Sequence, residues 1–426
     1  MADRPLRVAV VGRSIYGLHG VGGLERALYE LVRHHLADGW EVTLITRPAD
    51  DEAANPDAWH ALASHSNFTL RTVPYRTFPF AGRRGTTVAD RSTAYPLFGY
   101  RAGQDAARLV AQGRIDLVHS AGASGFGYAH AHQVAGGPRA PLVLNPHGLE
   151  EFGDAHGQFA GHPLKGLAYA PLRRVVRATA AAADAIIATD AALRPVVVRH
   201  LGVDPARVHV IPNGLDLVAG AGRVDVTEGR ALRQAQGIGP ADTVLLSVGR
   251  LEANKGYLDL VQALVAVREI RWRWVLIGDG PERQQIEDAL DRAALRDRVQ
   301  LMGRVDDRML HAWYDAADLF VHPTRYEGSS IVTLEAMLHQ KPIVATRVGG
   351  LPDKVIPERT GWMAEAGDAG SLTSALRAAL TNRHRWQEFG RAARALLEER
   401  FDWRVIQRQY AGLYGRLLEK STFREP

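Results

Sequence analysis

The sequence predicts an α/β protein made of two doubly wound, Rossmann-like parallel-sheet domains. Three observations carry this. The chain has 426 residues, too many for one ordinary hydrophobic core. It opens as strand, glycine-rich loop, amphipathic helix and strand, an order that calls for a parallel sheet with right-handed crossovers. Beyond residue 240 the same alternation begins again.

Composition narrows the function classes. Hydrophobic residues make up 46% and charged residues 23%, and no apolar run approaches the ~18–20 residues of a membrane span. The absence of cysteine excludes disulfides, thiolate zinc sites and a cysteine nucleophile. With no signal-type apolar segment after Met1, the expected location is cytoplasmic. The net charge is +5, and only Lys165, Lys255, Lys341, Lys354 and Lys420 are lysines, so 52 − 5 = 47 basic residues are arginine. These are dispersed and no nucleic-acid motif accompanies them, so no nucleic-acid partner is expected. A lysine in a loop is the more informative for being rare.

In order, residues 6–12 read as a buried strand, residues 17–23 as a glycine-rich loop, residues 24–39 as a helix and residues 41–46 as a strand. The loop fails as a dinucleotide fingerprint, because Glu25 stands where G-x-G-x-x-G needs a small residue. Gly22-Gly23 also reads as a plain tight turn. A short strand is expected near 69–74. Residues 75–100 read as irregular, with Arg76, Arg83, Arg84, Arg91 and Arg101 among aromatics; a solvated loop and an anionic-membrane contact fit equally. Residues 115–120 and 141–148 read as strands, the second ending at His147. His130-x-His132 lacks a convincing further metal ligand. After a helix over 165–183 and a strand at 185–190, Ile211-Pro212-Asn213-Gly214 is a turn. Residues 217–240 show no apolar period and read as a linker. The domains are therefore expected at 1–216 and 241–400, with a last helix within 401–426.

The second domain begins with a strand at 242–250 and the loop Leu251–Gly256. Strands follow at 274–278, 299–305 and 318–324. The last leads into Arg325-Tyr326-Glu327-Gly328-Ser329-Ser330-Ile331-Val332-Thr333-Leu334-Glu335. A helix is expected over 329–340, with Ser329 or Ser330 as N-cap, and its free N–H groups make an anion site. Glu327 and Glu335 then stand roughly 10–12 Å apart at about 1.5 Å per residue. That span suits a sugar at one carboxylate, a ribose at the other and two phosphates over the helix start. Spacing alone is also met by two solvated glutamates.

The Glu-x7-Glu stretch resembles the signature of retaining glycosyltransferase family 4, whose members have the two-domain GT-B fold with a deep interdomain cleft. Other segments resemble that family in the right order: Gly22-Gly23 before Glu25, Ile211-Pro212-Asn213-Gly214, Gly249-Arg250-Leu251 with Lys255-Gly256, and Val348-Gly349-Gly350. Asp353 replaces the family's usual Glu, and Ser330 stands where Gly is frequent. The resemblance implies a retaining hexosyltransferase that moves a sugar from a nucleotide sugar, UDP- or GDP-linked, to a glycan or lipid-linked acceptor in cell-envelope polysaccharide or glycolipid synthesis. Arg250 and Lys255 would clamp the diphosphate, Glu327 would hold the sugar, and His147 would contact the sugar or the leaving phosphate. Gly22, Gly23, Gly303, Arg304, Val305, Gly328, Ser329, Ser330, Ile331 and Glu335 would line the donor. The chain has no Asp-x-Asp motif, so no metal or other cofactor is expected. Peripheral contact with the inner face of the membrane is a further expectation. The alternatives are an inactive nucleotide-sugar-binding scaffold, and an epimerase or hydrolase of the same fold.

Overall fold

The computed structural model of the protein describes residues 4–20, 22–49, 55–76, 87–134, 139–147, 149–153 and 163–422. They form two units, Met1–Pro212 with Ile406–Pro426, and Asn213–Val405. In the first unit, β1 (Arg7–Val11), β2 (Glu41–Thr46), β3 (Phe68–Thr72), β4 (Leu117–Ala121), β5 (Leu142–Asn145), β6 (Ala185–Ala188) and β7 (Val208–Val210) form one sheet in the order β3-β2-β1-β4-β5-β6-β7. Every pairing is parallel, with Val8 of β1 set against Val42 on one side and Leu117 on the other. Val8, Ala9, Val10 and Val11 are all fully buried, as a strand covered on both faces requires.

The second unit repeats the plan with β8 (Thr243–Val248), β9 (Trp272–Ile277), β10 (Val299–Gly303), β11 (Leu319–His322), β12 (Ile343–Thr346) and β13 (Gly361–Ala364), ordered β10-β9-β8-β11-β12-β13 and again all parallel. Along β8, Val244, Leu246 and Val248 enter one core and Leu245 the opposite one. The strand order reverses between β8 and β11. Loops leaving the carboxyl ends of those two strands therefore diverge over opposite faces and open a crevice, where such sheets hold ligands.

Two expectations differ from the structure. The irregular 75–100 segment contains the start of a 25-residue helix, Thr87–Ala111. Pro96 and two glycines hid it. The glycines serve close packing: a Cβ on Gly99 would lie 2.1 Å from the Ala123 carbonyl oxygen, and one on Gly103 2.2 Å from the Tyr128 amide nitrogen of the helix Phe126–Val134. Arg83 and Arg84 lie outside the described residues. The supposed linker 217–240 holds two helices, Leu217–Ala221 and Val226–Ala235, capped by the Asp216 and Asp225 side chains. Leu217 and Ile238 belong to the second unit's core. Among the described residues, no helix is long and apolar enough to cross a membrane.

The final helix, Trp403–Thr422, contributes to the first unit from Ile406 onward and packs there on buried histidines. Gln407 Oε1 lies 2.8 Å from His35 Nδ1, and the Tyr414 hydroxyl 2.6 Å from His119 Nδ1. Burial pushes His35 down to about 3 and holds His119 well below the ordinary imidazole range. Because the folded value lies below the unfolded one, the unfolded chain binds the extra proton. Stability from neutral His35 is complete above pH 6.5 and is lost as pH falls from there towards 3. Between pH 7 and pH 4 this one group costs on the order of 3 kcal/mol. Urea unfolding at both pH values measures it, and His35→Gln is expected to flatten the pH dependence by that share.

Candidate active site

Three loops at the carboxyl edge of the second sheet are locked together by backbone contacts. The loop after β8 ends in a single 3₁₀ turn, Ala253–Lys255, and Gly256 then starts the helix Tyr257–Ala266. The Asn254 carbonyl accepts the Arg325 N–H at 2.7 Å and the Thr324 hydroxyl at 2.8 Å, both from the segment after β11. The loop after β12 joins through Gly350 N–H, which donates to the Gly328 carbonyl at 2.9 Å. Gly349 has φ +50°, and a Cβ there would stand 1.8 Å from the Glu327 carbonyl oxygen. Gly349 is thus required by the path of the Glu327 loop, whereas Gly350, at φ −85°, contributes its backbone N–H.

This frame delivers Lys255 to Glu327. Lys255 Nζ lies 2.8 Å from Glu327 Oε2, and the same oxygen accepts from His322 Nε2 at 3.0 Å. Both members of the ion pair are largely buried, and His322 is 1% exposed. Burial alone raises the Glu327 carboxyl. The His322 hydrogen bond and the Lys255 charge outweigh it, and Glu327 falls to about 2. Burial lowers His322 further than Glu327 raises it, so the imidazole is neutral at neutral pH and donates from Nε2. Glu327 is therefore a permanent anion, able to accept hydrogen bonds and unable to act as an acid.

The helix after this loop runs over Ile331–Leu338, shorter than 329–340. Ser330 is its N-cap and accepts from Thr333 N–H, and Gln340 at φ +54° turns the chain into Lys341-Pro342. Glu335 is 6% exposed and accepts the Tyr314 hydroxyl at 3.0 Å. Tyr314 stacks on His339 at 5.3 Å, and His339 lies 2.7 Å from Asp315. Lys354, fully buried, donates to the Gly350 carbonyl at 3.3 Å and the Ser329 hydroxyl at 3.4 Å, holding the helix start from beneath.

Other expected site residues are placed differently. Arg250 is largely exposed and pairs with Glu252 at 2.7 Å, so it does not converge with Lys255 here. Gly303 closes β10 at φ +68°, with Arg304 exposed and Val305 against the core. Gly22 and Gly23 belong to the first unit, where Gly22 caps the helix Gly23–Ala37 and both are exposed. His147, also in the first unit, has φ +58° and donates its N–H to Asn145 Oδ1 at 3.1 Å. Burial brings its imidazole down to about 4, and its buried Nε2 has no partner among the described residues.

Sequence reasoning missed His322, Tyr314 and Lys354. His322 ends a buried strand, the same signal that singled out His147. Lys354 is one of five lysines and follows Val348-Gly349-Gly350 closely. Tyr314 carries no signal, since only folding brings it to Glu335.

A family model described as Glycosyltransferase Family 4 matches residues 21–218, and one described as Glycosyl transferases group 1 matches residues 242–382. D-inositol 3-phosphate glycosyltransferase 2 of Catenulispora acidiphila is 32% identical over 450 residues, covering 98% of this chain and 97% of that protein. The chain belongs to glycosyltransferase family 4. This family 4 chain is accordingly a glycosyltransferase. A glycogen synthase of Mycobacterium tuberculosis is 27% identical over 412 residues, covering 95% of this chain and 93% of the other. Two solved structures show the GT-B fold of the family 4 chain. Sucrose-phosphate synthase from Thermosynechococcus elongatus superposes with a TM-score of 0.72 at 23% identity, over 97% of this chain and 100% of that one. Anabaena HepE in complex with UDP superposes with a TM-score of 0.71 at 20% identity, over 96% and 100%.

Proposed function

We propose that this glycosyltransferase moves a hexose-type sugar from a UDP- or GDP-sugar to an acceptor hydroxyl with retention of configuration and without a metal ion. The observation that carries the reading is the buried Lys255–Glu327 pair beside the start of the helix Ile331–Leu338. A diphosphate laid over that helix start meets the N–H groups after Ser330 and competes with Glu327 for the Lys255 ammonium. Arg250 needs only to leave Glu252 to join it. These donors oppose charge that grows on the leaving diphosphate, which is where electrostatic catalysis acts. Glu327, fixed as an anion, accepts hydroxyls of the transferred sugar, and Glu335 accepts those of the ribose. Same-face departure and attack, with the leaving phosphate taking the acceptor's proton, needs no side-chain nucleophile.

The acceptor is a hydroxyl of a glycan or lipid-linked glycan of the cell envelope. A phosphorylated polyol is the second reading, favoured by the relatives named as D-inositol 3-phosphate glycosyltransferases. Incubation with UDP- and GDP-sugars and both acceptor types, in excess EDTA, tests the proposal. The expected product carries the donor's anomeric configuration by NMR. An inverted product, or turnover restored only by a divalent cation, contradicts it.

A further inference from the structure

The first unit carries a second charged feature, away from any residue assigned above. A groove of about 650 Å³ lies between β7, the open edge of the sheet, and the last helix. Arg194, His209, Arg408 and Arg416 line it together with Gln409 and Gly412, and among the described residues no carboxylate does. Gly412 leaves the helix face without a side chain there.

Among the described residues, the charges in this groove are uncompensated by any carboxylate. Elsewhere Arg7, Arg71, Arg233, Arg271 and Arg325 each meet a carboxylate. Among the described residues, Arg408 and Arg416 form no ion pair, and Arg194 bonds only to the carbonyls of Pro205 and Val208, at 2.8 and 3.2 Å. Burial and then the charges of Arg416, Lys420 and Arg194 depress the His209 imidazole, so several cations act on one point. The strand edge adds a donor. Ile211 N–H bonds inward to the Ala188 carbonyl at 3.0 Å, so alternation turns Val210 N–H to the open side. Like charges held together without counter-charge repel, and an anion relieves that repulsion.

We propose that this groove is a phosphate-binding site, taking a phosphate group in place of the missing carboxylates. Arginine forks on two elements and a backbone N–H suit a tetrahedral oxyanion. The group can come from a soluble phosphorylated compound or from an anionic lipid headgroup. The site lies wholly in the first unit and does not depend on the donor assignments in the second.

Calorimetric titration with inorganic pyrophosphate at low salt tests it, using wild type, R408Q/R416Q and K255M. Arg408 and Arg416 are exposed and form no ion pair among the described residues, so the double variant is expected to keep the wild-type melting temperature. Its binding at this site is expected to weaken by about tenfold or more, since hydrogen bonds to charged groups are lost. The same event is expected to persist in K255M, which separates it from the diphosphate site proposed above, and to weaken with added salt. Flotation with phosphatidylglycerol vesicles identifies the source. Flotation lost in R408Q/R416Q assigns a headgroup, and pyrophosphate binding without flotation assigns a soluble compound. Pyrophosphate binding unchanged in R408Q/R416Q, or neither pyrophosphate nor vesicle binding in wild type, overturns the proposal.

Discussion

Lys255→Met lowers kcat at saturating donor by about 10²- to 10³-fold, the loss seen when one preorganised donor is removed from a developing anion. Two effects combine. The diphosphate loses a point charge beside the helix start, and Glu327 loses its ion-pair partner while remaining buried. Stranding one member of a buried pair costs more than the pair contributes, so the melting temperature falls as well. His322→Leu separates the two effects. It removes the neutral hydrogen bond to Glu327 Oε2 and leaves Lys255 in place. The Glu327 carboxyl then rises from about 2, since burial is opposed by Lys255 with one hydrogen bond fewer. The acid limb of the pH–rate profile moves up, and the donor KM rises more than kcat falls. Steady-state kinetics across pH check both variants. A Lys255→Met enzyme within twofold of wild-type kcat removes Lys255 from the reaction.

Gly349→Ala gives the second large effect, and it acts through backbone. The new Cβ would meet the Glu327 carbonyl at 1.8 Å, and φ +50° is itself disfavoured for alanine. A carbonyl locked into a loop cannot rotate away as a side chain can, so the Glu327 loop must shift. A displacement of about 1 Å at a positioning residue lowers activity by about 10²-fold. The stability cost is about 1–3 kcal/mol. Gly367→Ala is the control. It has φ +72° with nothing within 4 Å of its Cβ, so it pays about 1–2 kcal/mol of backbone strain and keeps full activity. Urea unfolding and kcat on the two variants test the contrast. Equal activity in both shows that the Gly349 contact does not shape the site.

The residues that position the site were legible where chemistry depends on spacing along the chain. Lys255 and Glu327 sit on loops after β8 and β11, and the strands before them are apolar runs that announce themselves. Their meeting depends on parallel pairing of β8 with β11, which the α/β alternation already implies. Support from distant segments was not legible. Tyr314 reaches Glu335 from the preceding helix, and Lys354 reaches Ser329 across 25 positions. The helix Thr87–Ala111 was obscured because Pro96 and the glycines read as breakers, whereas Gly103 is there to let two helices touch. The helices at Leu217–Ala221 and Val226–Ala235 were masked the same way, though Asp216 and Asp225 are ordinary N-cap signals. Arg250 shows the opposite limit. Its partner Glu252 is two residues away, and only a bound anion gives it reason to turn to Lys255.

The most direct measurement is thermal unfolding with a panel of nucleoside diphosphates in excess EDTA, on wild type and Glu335→Gln. Ligand at 100 times its Kd stabilises the fold by about 2.7 kcal/mol, a shift of several degrees at most for a domain of this size. UDP or GDP is expected to raise the melting temperature in EDTA. The shift is expected to vanish in Glu335→Gln, whose amide replaces the carboxylate that would accept the ribose hydroxyls. No shift with any nucleotide, or one that appears only with a divalent cation, contradicts the metal-free donor site built on Lys255, Glu327 and the helix start at Ser330.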